Sequence, residues 1–205
     1  VHMVHLGDTS IHFWHSMLDP AAGGWTDNRK IPGQKSKAPP ALAFFQGRVH
    51  MVHLGNSSND IWHSSFDGME WSENTPVLNQ QSKAVPALAV FDGRLHMVHV
   101  GDRSNDIWHS TYDGGSWTEN VPIRNQQSKA SPALAVLQDP LHMVHLGDSS
   151  NRLWHSIYDG RWRPNVEIAG QLSKVPAGLA GLGSQLHIVH LGNTSNTIWH
   201  SQHMQ

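Results

Sequence analysis

The run Val1-His2-Met3-Val4-His5-Leu6-Gly7 returns at residues 49–55, 95–101, 141–147 and 186–192, at intervals of 48, 46, 46 and 45 residues. A period of this length belongs to propellers, solenoids and arrays, in which one small unit recurs and no unit buries its apolar face alone. Residues 41–86 and 87–132 are about two-thirds identical, as recent duplication leaves them. The repeat predicts one domain over 1–205, divided into units 1–40, 41–86, 87–132, 133–176 and 177–205.

The third unit reads as four short strands. Strand A is Pro86-Ala-Leu-Ala-Val-Phe91, strand B Leu95-His-Met-Val-His-Val100, strand C Ile107-Trp-His-Ser-Thr-Tyr112 and strand D Trp117-Thr-Glu-Asn-Val-Pro-Ile123. Asp92-Gly93 and Asp113-Gly114 mark hairpin turns, because glycine supplies the positive φ that tight turns need. No segment carries a 3.6-residue period long enough for a helix. Four strands in about 46 residues make one propeller blade. The predicted fold is all-β, a β-propeller of four-stranded antiparallel blades, with five blades preferred and a four-bladed ring as the alternative. The chain order is BCD, ABCD three times, then ABC, so one D–loop–A segment is lacking from a five-bladed ring.

Composition removes other classes. Net charge is −2, so no strong field favours nucleic acid or an anionic membrane. No apolar run approaches a membrane span and no signal peptide is visible, so no membrane insertion is expected. Cysteine is absent, which excludes disulfides and thiolate metal sites.

The C–D turns read Ser64-Ser-Phe-Asp67-Gly68-Met-Glu-Trp71, Ser110-Thr-Tyr-Asp113-Gly114-Gly-Ser-Trp117 and Ser156-Ile-Tyr-Asp159-Gly160-Arg-Trp162. They resemble the Asp-box of sialidase-like propellers, although Asp and Gly are adjacent here. Five similar units of this length also resemble five-bladed propeller lectins of the tachylectin type, in architecture rather than in motif. That resemblance implies carbohydrate binding, with one shallow site per blade or blade interface.

Catalysis needs a unique set of unlike groups. Here Glu73 and Glu119 are equivalents, as are Asp67, Asp113 and Asp159, so the chain is expected not to be an enzyme and to need no cofactor. The 17 histidines invite a metal reading. Residues three apart on a strand face opposite ways, so His96 and His99 cannot chelate one ion. A cross-strand pair such as His99 with His109 stays open, but a structural role between blades is favoured and no metal is predicted. Trp14, Trp62, Trp108, Trp154 and Trp199 fall in strand C, where packing is expected. Trp71, Trp117 and Trp162 open strand D, where packing and a sugar-stacking platform are alternatives.

Propeller topology places the B–C and D–A loops on one face. There Asn59, Asn105, Asn151 and Asn196 recur, with a Gln-x-Ser-Lys run that supplies Gln34, Gln80, Gln126 and Gln171, Ser36, Ser82, Ser128 and Ser173, and Lys37, Lys83, Lys129 and Lys174. Amides, hydroxyls and an ammonium suit sugar hydroxyls. The expected function is a multivalent lectin that binds glycans or glycoconjugates, secreted or facing the cell surface, with oligomerisation possible. The alternatives are a protein-interaction scaffold or toxin receptor-binding propeller, and an engineered repeat protein with no natural ligand.

Overall fold

The computed structural model describes residues 1–21 and 23–204. Of the long turn 19–24, Ala22 lies outside the described residues. The chain falls into two compact units, Val1–Val85 and Pro86–Gln205.

The first unit holds two antiparallel sheets. One contains β1 (His2–Leu6), β2 (His12–Asp19), β3 (Gly24–Trp25) and β4 (Arg29–Lys35); the other is β5 (Ala41–Phe45), β6 (Arg48–Leu54), β7 (Asp60–Phe66) and β8 (Thr75–Gln81). The second unit holds three. They are β9 (Ala87–Phe91) to β12 (Val121–Gln127) through β10 (Arg94–Val100) and β11 (Asp106–Tyr112), then β13 (Ala133–Val136), β14 (Leu141–Leu146), β15 (Arg152–Tyr158) and β16 (Val166–Leu172), and last β17 (Gly178–Leu182), β18 (Gln185–Leu191) and β19 (Ile198–Met204). Each sheet is a meander of sequential neighbours, which is a propeller blade, and no helix occurs among the described residues. The five-bladed all-β propeller stands and the four-bladed alternative falls. The first sheet consists of strands B and C and a D strand broken into β3 and β4, and the fifth of A, B and C.

Alternation lets the two faces of a strand pack against different neighbouring sheets. Val98, Ile107 and Ile123 of the third sheet pack with Met143, Leu134 and Trp162 of the fourth. Val144, Leu146, Leu153 and Ile168 of the fourth meet Ile188 and Leu179 of the fifth. In the first unit Phe13, Ile31, Val4 and Leu6 meet Met51, Leu42 and Trp71 in the same way. Strand B residues such as Val98 thus serve the following sheet, and neighbours such as Met143 the preceding one, as the two-residue period of a strand dictates. Innermost strands come closest: a Cβ on Gly181 would lie 2.3 Å from the Val136 carbonyl oxygen.

Strand D departs from expectation. It was predicted over 117–123, but β12 spans Val121–Gln127 and Trp117 makes only an isolated bridge to Tyr112. The ladder pairs Trp108 with Pro122 and then Asp106 with Gln127, so the D strand bulges between them. Asn125 takes φ 59° in that bulge, Asn79 φ 60°, and Gly33 and Gly170 φ 70° and 74°. Only glycine and asparagine enter the left-handed region readily, and only they occupy this place.

Candidate loop-face binding site

The B–C loops are closed by their own backbone. Gly101 N–H donates to the Asp106 carbonyl at 2.9 Å, and Gly55 and Gly147 repeat the bond at 2.9 Å to Asp60 and Arg152. A Cβ at Gly101 would lie 2.7 Å from Ser104 Oγ and 2.9 Å from Trp108 Nε1, so the Gly-x-x-Ser loop and the strand C indole share one packed base. Trp14, Trp62, Trp108 and Trp154 are half-buried on this base, while Trp199 is 55% exposed.

The bulge in strand D turns the glutamines inward. Gln34, Gln80 and Gln126 are only 1–2% exposed. Gln126 Nε2 donates to Ser156 Oγ at 2.9 Å and to the Arg163 carbonyl at 2.8 Å, both in the next sheet. Gln34 repeats this in the first unit: Ser64 Oγ donates to its Oε1 at 3.0 Å, and its Nε2 reaches the Ser72 carbonyl at 3.4 Å. Ser36, Ser82, Ser128 and Ser173 are fully enclosed at 0%. Ser128 Oγ donates to the Ala130 carbonyl at 2.7 Å and accepts the Ala130 N–H at 3.2 Å, a closed local turn that Ser36, Ser82 and Ser173 share. Three of the four Gln side chains and all four Ser side chains of the expected sugar set are thus enclosed. Of the four glutamines, Gln171 alone is half-buried.

Lysine and asparagine do converge. Lys37 hydrogen-bonds Asn59, Lys129 hydrogen-bonds Asn151, and Lys174 Nζ donates to Asn196 Oδ1 at 2.5 Å, each from a D–A loop to the B–C loop of the next sheet. The asparagines hand the contact on: Asn105 donates to Asp148, and Asn151 to Asn193. Lys37, Lys83, Lys129 and Lys174 are all exposed.

Two strand D tryptophans, Trp71 and Trp162, pack against the preceding sheet. Trp71 Nε1 donates to His15 Nδ1 at 3.2 Å, and its ring meets His15 edge-on at 5.4 Å. Trp162 stands over His109 at 5.6 Å and 87°, and Trp117 packs against Tyr112 at 5.3 Å. The platform alternative for Trp71 and Trp162 therefore gives way to packing between sheets. The two exposed indoles are Trp199 of strand C, at 55%, and Trp25 at the opening of the first strand D, at 50%.

The histidines form two sets. His2, His50, His96, His142 and His187 each meet the strand C histidine of the same sheet, Nδ1 to Nε2, at 2.8–3.0 Å with rings nearly parallel. The second strand B histidine turns to the other face. His145 Nδ1 donates to the Leu146 carbonyl at 2.8 Å, and its Nε2 meets Asn165 at 3.3 Å. His5 with Asn28, His53 with Asn74 and His99 with Asn120 do the same. The cross-strand pair is thus His96 with His109, not His99, because Val98 is the register partner of His109 and His96 shares its face. Burial pushes His15, His63, His96 and His155 down to about 4 and His109 to about 3, and for all but His96 the paired histidine lowers the value further. No cluster of three or more His, Asp or Glu able to hold a metal occurs among the described residues.

One cleft opens on this loop face in the second unit. It encloses about 290 Å³ between strand β16 and the last B–C loop, lined by Gly170, Gln171, His190, Asn193, Ser195 and Trp199. An exposed indole faces amide, imidazole and hydroxyl groups there.

No protein-family model matches the chain, and no curated protein matches it. Solved structures do. AofleA from Arthrobotrys oligospora is similar over 98% of this chain with a TM-score of 0.74 at 10% identity, and the chain spans 64% of that protein's length. The Aleuria aurantia lectin in complex with Fucα1-6GlcNAc is similar over 98% of this chain and 74% of its own, with a TM-score of 0.60 at 11% identity. An exo-β-1,3-galactanase of Phanerochaete chrysosporium with galactose is similar over 98% of this chain and 59% of its own, with a TM-score of 0.59 at 10% identity. At such identities the likeness is one of fold. It also corrects one expectation. Repetition of equivalent groups is no ground for calling the chain a non-enzyme, because an enzyme acting on glycosides has this same fold.

Proposed function

We propose that this chain is a carbohydrate-binding propeller of the lectin kind, with shallow sugar sites on the face that carries its B–C and D–A loops. The observation that carries this reading is the convergence of Lys37 with Asn59, Lys129 with Asn151 and Lys174 with Asn196 from successive sheets. An exposed ammonium held against a primary amide sets donors and an acceptor side by side, a mixed set that suits sugar hydroxyls. Trp199, with Asn193 and Ser195 beside it, supplies the apolar wall and polar rim that a pyranose ring takes. Similarity to a lectin crystallised with a fucosylated disaccharide and to a galactanase crystallised with galactose supports a sugar ligand.

Recurrence of the pair gives several weak sites on one chain, and a glycan-coated surface would engage them together with gain in avidity and no new contact. The test is a glycan array run with the folded protein, with release of reducing sugar measured on every glycan bound. Binding to a defined class of glycans supports the proposal. Folded protein that binds no glycan overturns it.

A further inference from the structure

Each of the first four sheets carries the same thirteen-residue run, Trp-x-x-Asn-x-x-Ile/Val-x-Asn/Gly-Gln-x-Ser-Lys, at 25–37, 71–83, 117–129 and 162–174. Three of its positions make contacts that the fifth sheet lacks. The Asn meets the second strand B histidine of its own sheet, as Asn165 meets His145 at 3.3 Å. The Ile or Val covers the first strand C aliphatic, as Ile123 packs with Ile107. In the fourth sheet the carbonyl after the Trp accepts from the strand C serine, Arg163 from Ser156 at 2.9 Å, while Ser64 of the second sheet donates to Gln34 and Ser16 Oγ of the first is buried without a partner.

The fifth sheet has every partner of this run and lacks the run itself. Ile198 is 69% exposed where its equivalents Ile61, Ile107 and Leu153 are 0%. Ser201 Oγ is buried and has no hydrogen-bond partner. Gln171 has turned from the position its equivalents take: Gln126 bonds Ser156, but Gln171 Oε1 lies 2.8 Å from His190 Nε2, the place an Asn holds in the other sheets. A cavity of about 540 Å³ lies beside β19, lined by Ile157, Ile168, Leu186, Ile188, Ser201 and His203 among others.

We propose that the free edge of β19 is a docking site for one further β-strand of this same pattern, a fifth Trp-x-x-Asn-x-x-Ile/Val run supplied from outside residues 1–205. The four runs within the chain are engaged in their own sheets. Such a strand pairs with β19 by main-chain hydrogen bonds, covers Ile198 with its aliphatic residue, gives Ser201 its carbonyl and gives His190 its amide. Its Gln-x-Ser-Lys end lies on the loop face, so Gln171 returns to Ser201. The inference stands without the sugar reading.

The test uses the whole chain and a synthetic peptide with the sequence of residues 116–130. Expected are saturable 1:1 binding by calorimetry, a rise in Tm, and new amide-exchange protection confined to β19. A peptide carrying Trp117→Ala should bind at least tenfold more weakly, and the Ile198→Lys protein should lose binding while keeping the Tm of the free chain. Absence of binding at millimolar peptide, equal binding of a scrambled peptide, or protection elsewhere overturns the proposal.

Discussion

Gln126 Nε2 sits 2.9 Å from Ser156 Oγ, a residue of the next sheet thirty positions along the chain. The same amide nitrogen reaches the Arg163 carbonyl at 2.8 Å. One side chain thus ties a D strand to both strand C and the D-strand approach of its neighbour, in a space closed to solvent. Gln126→Ala should therefore destabilise the fold by about 1–3 kcal/mol, since it takes a donor from the buried Ser156 hydroxyl and breaks the tie between the sheets. Urea unfolding reads the loss. Glycan binding by the folded fraction should be unchanged, and a binding defect at unchanged stability would reverse this assignment.

Lys129→Ala, Lys37→Ala and Lys174→Ala test the exposed pairs. Each should weaken glycan binding by a small and similar factor, about two- to fivefold on a multivalent surface, where one of several sites is lost. Stability should move by less than about 0.5 kcal/mol, as for other surface substitutions. Surface plasmon resonance on an immobilised glycan measures the first and thermal melts the second. Loss of all binding from one substitution would point to a single asymmetric footprint.

Gly101→Ala should cost about 1–3 kcal/mol although Gly101 is not among the positive-φ glycines, because its new Cβ would meet Ser104 Oγ at 2.7 Å and Trp108 Nε1 at 2.9 Å. Removing the hydroxyl as well, in Gly101→Ala/Ser104→Ala, should recover part of it. Chemical denaturation of the two variants decides whether crowding at the loop base is the cause.

Asn125 makes a conformational test at a different glycine-like place. Gly33 and Gly170 hold the equivalent bulge at φ 70° and 74°, against 59° for Asn125. Asn125→Gly should be close to neutral, and Asn125→Val should destabilise by about 1–2 kcal/mol, the steric cost of a branched residue in the left-handed region. Their melting temperatures should separate accordingly.

Acid should unfold this protein early. Burial holds His15, His63, His96, His99 and His155 at about 4 and His109 at about 3, against about 6.5 in the unfolded chain. The unfolded state then binds more protons at mildly acid pH. Stability is complete above about pH 6.5 and falls as pH drops from there towards about 4, above the range in which the carboxylates titrate. A Tm that stays constant from pH 7.5 to pH 5 would contradict it.

The sheets were legible in the sequence because two-residue alternation and Asp-Gly turns act over a few residues each. Strand parity likewise separated His96 from His99. The D-strand bulge was less legible: Arg124-Asn-Gln-Gln127 is polar and reads as a loop, and the one sign of a left-handed residue is the exchange of Asn and Gly at 33, 79, 125 and 170. Without the bulge, nothing indicates that Gln126 turns inward, so an enclosed glutamine reads as a sugar ligand. The recurrence of Gln-x-Ser in register has its physical reason in packing, while the lysine beside it remains exposed.

The glutamine bridge also bears on how such a chain can lengthen. The segment copied along the sequence and the contact that holds two sheets together are out of phase, since Gln126 and its target Ser156 lie in different copies. A recombination event that inserts one period of about 46 residues, wherever its breakpoints fall, adds one whole sheet and one whole set of bridging contacts. Growth by duplication then needs no compensating change at the join, which suits an ancestry in which two adjacent copies, 41–86 and 87–132, remain about two-thirds identical.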